Sequence, residues 1–155
     1  MSVFGGEIVR SFRRPPDVVF PWLIWVESFP RWFSLCHGAK LVEGQTEAEG
    51  SVYEVHMSLG GILRKTTLMR IEDLDEDGYS YRFVRAEGGN MVELAFAAQP
   101  GDGDGSRLVF GARYEGSGRI LGVPVGGNAF VKIIERAVDR SLPRLEKVIA
   151  AEEGA

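Results

Sequence analysis

The sequence predicts an α+β domain: a seven-stranded antiparallel sheet, two short helices after its first strand, and one long C-terminal helix. Three observations carry this. Seven stretches alternate apolar and polar residues and are divided by turns rich in Gly, Asp and Asn. A proline-punctuated apolar segment separates the first stretch from the other six. The last part of the chain then switches to a helical period with one apolar arc.

The first strand is read over 7–13, with Ile8, Arg10 and Phe12 on one face. Pro15 and Pro16 end it, because a proline nitrogen donates nothing to a ladder. Pro16 also suits the first turn of a helix, read over 17–25 from Val18, Val19, Trp22 and Leu23. A second single turn follows over 28–33, with Pro30 near its start.

Six strands are then expected over 38–43, 51–59, 62–74, 79–86, 91–98 and 106–115. The connections between most of them are short enough for hairpins, so consecutive strands form an antiparallel meander. After the glycine-rich stretch 116–127 comes the terminal helix, with Asn128 read as its N-cap. Phe130, Ile134, Ala137, Val138, Ser141, Leu145 and Ile149 share one arc; Lys132, Arg136, Asp139, Arg140 and Lys147 share the other. Pro143 sits on the polar side and is expected to bend the helix.

Composition narrows the function classes. The 155 residues suit one domain spanning 1–155, with 1–6 and 152–155 as flexible ends. Hydrophobic residues at 45% and charged residues at 26% exclude disorder. A net charge of −4 argues against a nucleic-acid partner. The single cysteine, Cys36, and the lack of a signal-like N-terminus point to a cytoplasmic protein. No apolar run is long enough for a membrane span.

A sheet this broad curls, and one helix about 10–12 Å across does not fill its hollow. The remaining space is expected to be an apolar pocket between sheet and terminal helix. The segment from Phe12 to Phe20, FRRPPDVVF, together with Phe29-Pro30-Arg31-Trp32, Glu49-Gly50, Gly105–Val109 and Ser141–Glu146, resembles the START/Bet v 1-like (SRPBCC) superfamily. The closest flavour is the polyketide cyclase/dehydrase and lipid-transport branch. Arg14 departs from the small residue usual there, and Pro143 interrupts the terminal helix. The resemblance implies a helix-grip fold around a hydrophobic cavity. Its members bind lipids, sterols, polyketides, hormones or quinones, and some catalyse cyclisation.

Strand alternation then selects the cavity lining. Tyr53, Val55 and Met57 share one face of their strand; Lys65, Thr67 and Met69 share another; Tyr81 and Phe83 a third; Phe110 and Tyr114 a fourth. On the 91–98 strand, Val92, Leu94 and Phe96 compete with Met91, Glu93 and Ala95 for the inner face. Trp22, Trp32 and Phe33 from the early helices, and Phe130 and Ile134 from the last, complete the expected lining. Tyr53, Tyr81 and Tyr114 suit ligand hydrogen bonds, since each joins an apolar ring to a polar tip. A buried Lys65 or Arg10 requires a partner, which Glu93 or a ligand carboxylate would supply.

Other chemistry is weaker. Cys36, His37 and His56 do not converge if strand neighbours point apart. Asp73–Gly78 begins like a calcium loop, but Val84 stands where the closing glutamate belongs. The stretch 122–128 lacks a phosphate-loop lysine and is read as a cap and gate. The expected function is binding of a small hydrophobic molecule, with no metal, no cofactor, and a monomer or homodimer as the assembly. A cyclase/dehydratase in the same cavity and a co-chaperone-like interaction module are the alternatives, and no catalytic residue is assigned.

Overall fold

The structure is a computed structural model that describes residues 2–59, 63–88, 91–116, 119–120, 123–124 and 127–154, with side chains described over 5–58, 64–88, 91–115 and 129–154. The strands are β1 (Ser2–Phe12), β2 (Cys36–Glu43), β3 (Val52–Leu59), β4 (Leu63–Asp75), β5 (Ser80–Arg85), β6 (Val92–Pro100) and β7 (Ser106–Gly116). Helices α1 (Pro16–Ile24) and α2 (Phe29–Trp32) follow β1, joined by a 3-10 turn at Val26–Ser28. Two short strands, β8 (Arg119–Ile120) and β9 (Val123–Pro124), precede α3 (Gly127–Glu153).

The sheet order is β1-β7-β6-β5-β4-β3-β2, with every neighbour antiparallel. Pairing the first strand with the last leaves β1 and β2 as the two edges. The α1–α2 segment connects these edges, and α2 packs against both β2 and α3. The concave face thus receives α3 along its length and the two short helices at one end.

Apolar periodicity explains most of this. On α3, Phe130, Ile134, Ala137, Val138, Ser141, Leu145 and Ile149 are all buried, while Lys132, Arg136, Asp139, Arg140 and Lys147 are exposed. An aromatic cluster anchors the closed end of the hollow: Phe29 meets Trp32, Phe33, Phe83 and Phe96 at centroid distances of 5.4, 5.4, 6.2 and 5.7 Å. Each such ring, fully buried, stabilises the fold by about 1.5–3 kcal/mol.

Three elements differ from the sequence expectation. Strand β1 begins at Ser2 rather than at residue 7. Gly5 and Gly6 read as a break, but they let the edge strand lie close on β7: a Cβ at Gly5 would stand 2.5 Å from the Ala112 carbonyl oxygen. The stretch 116–127 contains β8 and β9, pairs too short to show periodicity. Helix α3 starts at Gly127, which places Asn128 inside the first turn instead of at the cap. It runs on through Pro143, which faces outward as expected. The gate assigned to 122–128 lies outside the described side chains.

Candidate functional site: a cavity under the N-terminal half of the long helix

The inner face of the sheet and α3 enclose a cavity walled by Leu35, Met57, Lys65, Thr67, Met69, Arg85, Val92, Leu94, Tyr114, Phe130 and Ile134. Its empty volume is about 770 Å³ including the part open to solvent, of which about 90 Å³ is free to the centre of a water molecule. The cavity is therefore narrow. Met57 and Met69 are the adjustable part of its wall, because unbranched thioethers repack at low cost.

Strand register aligns the polar members. On β4, Lys65, Thr67 and Met69 alternate onto one face, opposite Met57, Val55 and Tyr53 of β3. Met69 in turn faces Arg85 of β5. Arg85 therefore extends the inner row begun by Tyr81 and Phe83. Lys65 is exposed at the mouth, and its ammonium sits below the usual lysine value, chiefly through partial desolvation and then through the charge of Arg85. The Thr67 hydroxyl is buried without a hydrogen-bond partner among the described residues.

The structure brings Met57, Lys65, Thr67, Met69, Tyr114, Phe130 and Ile134 together around this space. It also settles the inner face of β6, where Leu94, Phe96 and Ala98 are buried toward the helix side. Glu93 borders the cavity from the same strand, but its carboxylate is on the opposite face of the sheet. There it accepts from Arg82, and from Arg113 at 3.4 Å. Glu93 is consequently no partner for Lys65 or Arg10. Arg10 instead pairs with Asp139 at 2.8 Å and Glu135 at 3.0 Å on α3.

The remaining expected lining residues are packed elsewhere. Tyr81 is fully enclosed, and its hydroxyl donates to the Leu23 carbonyl; burial holds its pKa well above the ordinary tyrosine value. The Tyr53 hydroxyl accepts from the Glu47 amide at 2.9 Å and meets Thr46 Oγ1 at 3.3 Å. Both tyrosines tie helix and loop to the sheet. Trp32, Phe33, Phe83 and Phe110 belong to the aromatic cluster, and Val55 is fully buried. Trp22 packs on Trp25 at 5.3 Å, with the Arg31 guanidinium over both rings.

Leu35, Arg85, Val92, Leu94 and Arg113 line the cavity in addition to the residues selected from sequence. Arg85 had a legible signal, one further step of the Tyr81–Phe83 alternation. Leu35 precedes β2 in a turn and carries no periodicity.

The other polar groups weighed from sequence are dispersed. Cys36 is buried, with its thiol pushed up to about 11 by desolvation and bonded to the Gly38 carbonyl at 3.3 Å. His37 contacts Ser58 at 2.6 Å, and His56 contacts Thr66 at 2.9 Å and Glu54 at 3.2 Å. In the acidic turn, Asp75 accepts from the Gly78 amide at 2.8 Å, while Asp73 pairs with Arg82 at 2.6 Å.

An antiparallel sheet gripping one long helix, with a cavity between them, defines the helix-grip class of domains. The chain belongs to the family described as polyketide cyclase / dehydrase and lipid transport, which matches residues 7–150. Among solved structures it is similar to the Zhui aromatase/cyclase from Streptomyces sp. R1128 at 16% identity and a TM-score of 0.75, covering 96% of this chain and 94% of that one. A START superfamily protein from Mycobacterium smegmatis aligns at 13% identity and a TM-score of 0.74, covering 95% and 97%. The protein TTHA0849 from Thermus thermophilus aligns at 20% identity and a TM-score of 0.72, covering 97% and 99%. Identities this low establish the shared fold alone. Among curated proteins, none matches the sequence. No helix among the described residues is long and apolar enough to cross a membrane.

Proposed function

We propose that this domain binds a small hydrophobic molecule in the cavity between its sheet and α3. The supporting observation is the cavity wall itself: Leu35, Met57, Met69, Val92, Leu94, Phe130 and Ile134 present apolar surface to a space continuous with solvent. Such a concave apolar site with few polar groups is the usual form of a small-molecule pocket. Membership in the polyketide cyclase / dehydrase and lipid-transport family supports the same reading.

A cyclase reading is second, and the polar residues Lys65 and Thr67 in the wall favour it. Binding takes precedence because a cyclase needs groups that exchange protons with a held substrate. The carboxylate bordering the cavity, Glu93, is turned to the other face between two arginines. An interaction module draws less support: among the described residues the exposed large hydrophobics are Trp25 and Val42, too few for an apolar docking patch.

Fluorescence titration with the neutral probe N-phenyl-1-naphthylamine tests the proposal. The wild-type chain is expected to enhance and blue-shift its emission. Ile134→Trp, which fills the cavity from α3, should weaken that binding by about tenfold, the effect of roughly 1.4 kcal/mol. Enhancement that is absent, or unchanged by Ile134→Trp in a folded chain, refutes the cavity reading.

A further inference from the structure

The cavity's polar groups include two cations, Lys65 and Arg85, and the Thr67 hydroxyl, on the adjacent strands β4 and β5; Glu93 and Arg113 border the cavity as well but pair with each other on the opposite face of the sheet. Lys65 and Thr67 are successive inward positions on β4, and Arg85 stands opposite the next one, Met69. Thr67 is thus the diagonal neighbour of Arg85, within reach of its long side chain, and Lys65, one inward position further along β4, lines the same cavity. The effect of the Arg85 charge on the Lys65 ammonium reflects this proximity.

Most cations around the hollow are matched. Arg10 has Asp139 and Glu135; Arg14 has Glu146 and Glu153; Arg82 and Arg113 share Glu93. Lys65 and Arg85 have no carboxylate within ion-pair distance among the described residues. Among the described residues Arg85 bonds through Nε, to the Glu87 carbonyl at 3.3 Å. The Thr67 hydroxyl is buried beside them and unpartnered among the described residues. Two like charges and an orphaned hydroxyl at the edge of an apolar space cost free energy as they stand. One anion among them relieves all three.

Resting on the apolar-cavity reading, the geometry points to a carboxylate-bearing amphiphile as the ligand class, with the carboxylate held by Lys65, Thr67 and Arg85 and the apolar body directed to Phe130 and Ile134. The guanidinium offers two parallel N–H donors that match a carboxylate, the ammonium supplies a point charge, and the hydroxyl donates a third contact. The chain's own net charge of −4 does not attract anions in general, so any preference has to be local.

The test is calorimetric titration of the full chain with 2-naphthoate and its neutral near-isostere 2-naphthamide at pH 7. Wild type is expected to bind the acid about tenfold or more tighter than the amide, as charge-assisted hydrogen bonds warrant. Arg85→Gln and Lys65→Gln should each shrink that ratio, and the double variant should bring it near one while still binding the amide. Arg107→Gln, on the exposed outer face of β7, should leave the ratio intact. Thermal melts should show both cavity variants folded. Equal wild-type affinities for acid and amide overturn the carboxylate assignment and leave the apolar cavity standing. Acid selectivity that survives the double variant overturns it too. No binding of either compound to the folded wild type overturns the cavity reading and this assignment with it.

Discussion

Several residues act through the groups they keep satisfied. Ser141 on α3 accepts the Ser34 amide at 2.9 Å and donates to the Ala137 carbonyl at 2.6 Å. It joins the α2–β2 connection to the long helix inside the core. Ser141→Ala orphans the Ser34 N–H, so a loss of about 1–3 kcal/mol is expected, read as a lower urea midpoint at unchanged slope. An unchanged midpoint would mean that water replaces the hydroxyl. Cys36 shows burial acting on reactivity. With its thiol raised to about 11, the thiolate is scarce at pH 8, and native protein should react with iodoacetamide far more slowly than urea-unfolded protein. Comparable rates would contradict the buried, inward placement. Glu93 is the residue where pattern reading stops short. Its strand is apolar on both faces, so alternation left two answers; the choice was made by arginines at 82 and 113, which lie on neighbouring strands and become visible only with the register.

At the scale of elements, legibility follows length and period. The terminal helix and the meander were readable because an apolar arc or an alternating face repeats over many residues. The alternation of β3 and β4 also puts Met57, Lys65, Thr67 and Met69 on the face that borders the cavity. Tyr53 and Tyr81 show the limit: alternation says that a ring points inward, but not whether the loop carrying Glu47 or the end of α1 at Leu23 already occupies its hydroxyl. The β1 edge was hidden for a different reason. Its glycines lower strand propensity, yet they permit the close approach to β7. Gly5→Val would put side-chain atoms against the Ala112 carbonyl, whose contact is already 2.5 Å from an added Cβ, and should weaken β1–β7 pairing. Hydrogen exchange at the amides of residues 2–8 would report it as a selective loss of protection; uniform protection would place the strain elsewhere. Arg14 holds the far end of α3 through Glu146 at 2.7 Å and through Glu153.

Across the whole molecule, apolar burial holds α3 in the sheet while ion pairs set its position along the rim. Arg10 binds Asp139 and Glu135 midway along the helix, Arg14 reaches Glu146 and Glu153, and Arg31 lies 3.5 Å from Glu152. Of these pairs, Arg10–Asp139 is largely solvated, with the Asp139 side chain 52% exposed, so it contributes about 0.2–1 kcal/mol and not the value of a buried pair. Its pH dependence has a definite sign. Hydrogen bonding from Arg10 holds the Asp139 carboxyl below its ordinary value of 3.8, against a smaller opposing effect of desolvation. A carboxyl with a depressed folded pKa stabilises the fold above its unfolded pKa, and that contribution disappears as pH falls through the folded one. Wild type and Asp139→Asn should therefore differ in Tm by about 1–3 °C at pH 6, the surface-pair value spread over a chain of this size. The gap should close as the pH drops below 3.8, where the unfolded chain's carboxyl takes up its proton first and the native one follows at lower pH. A gap that persists undiminished to pH 2 would show that Asp139 positions the helix by packing, and that charge at this rim is incidental to the grip on α3.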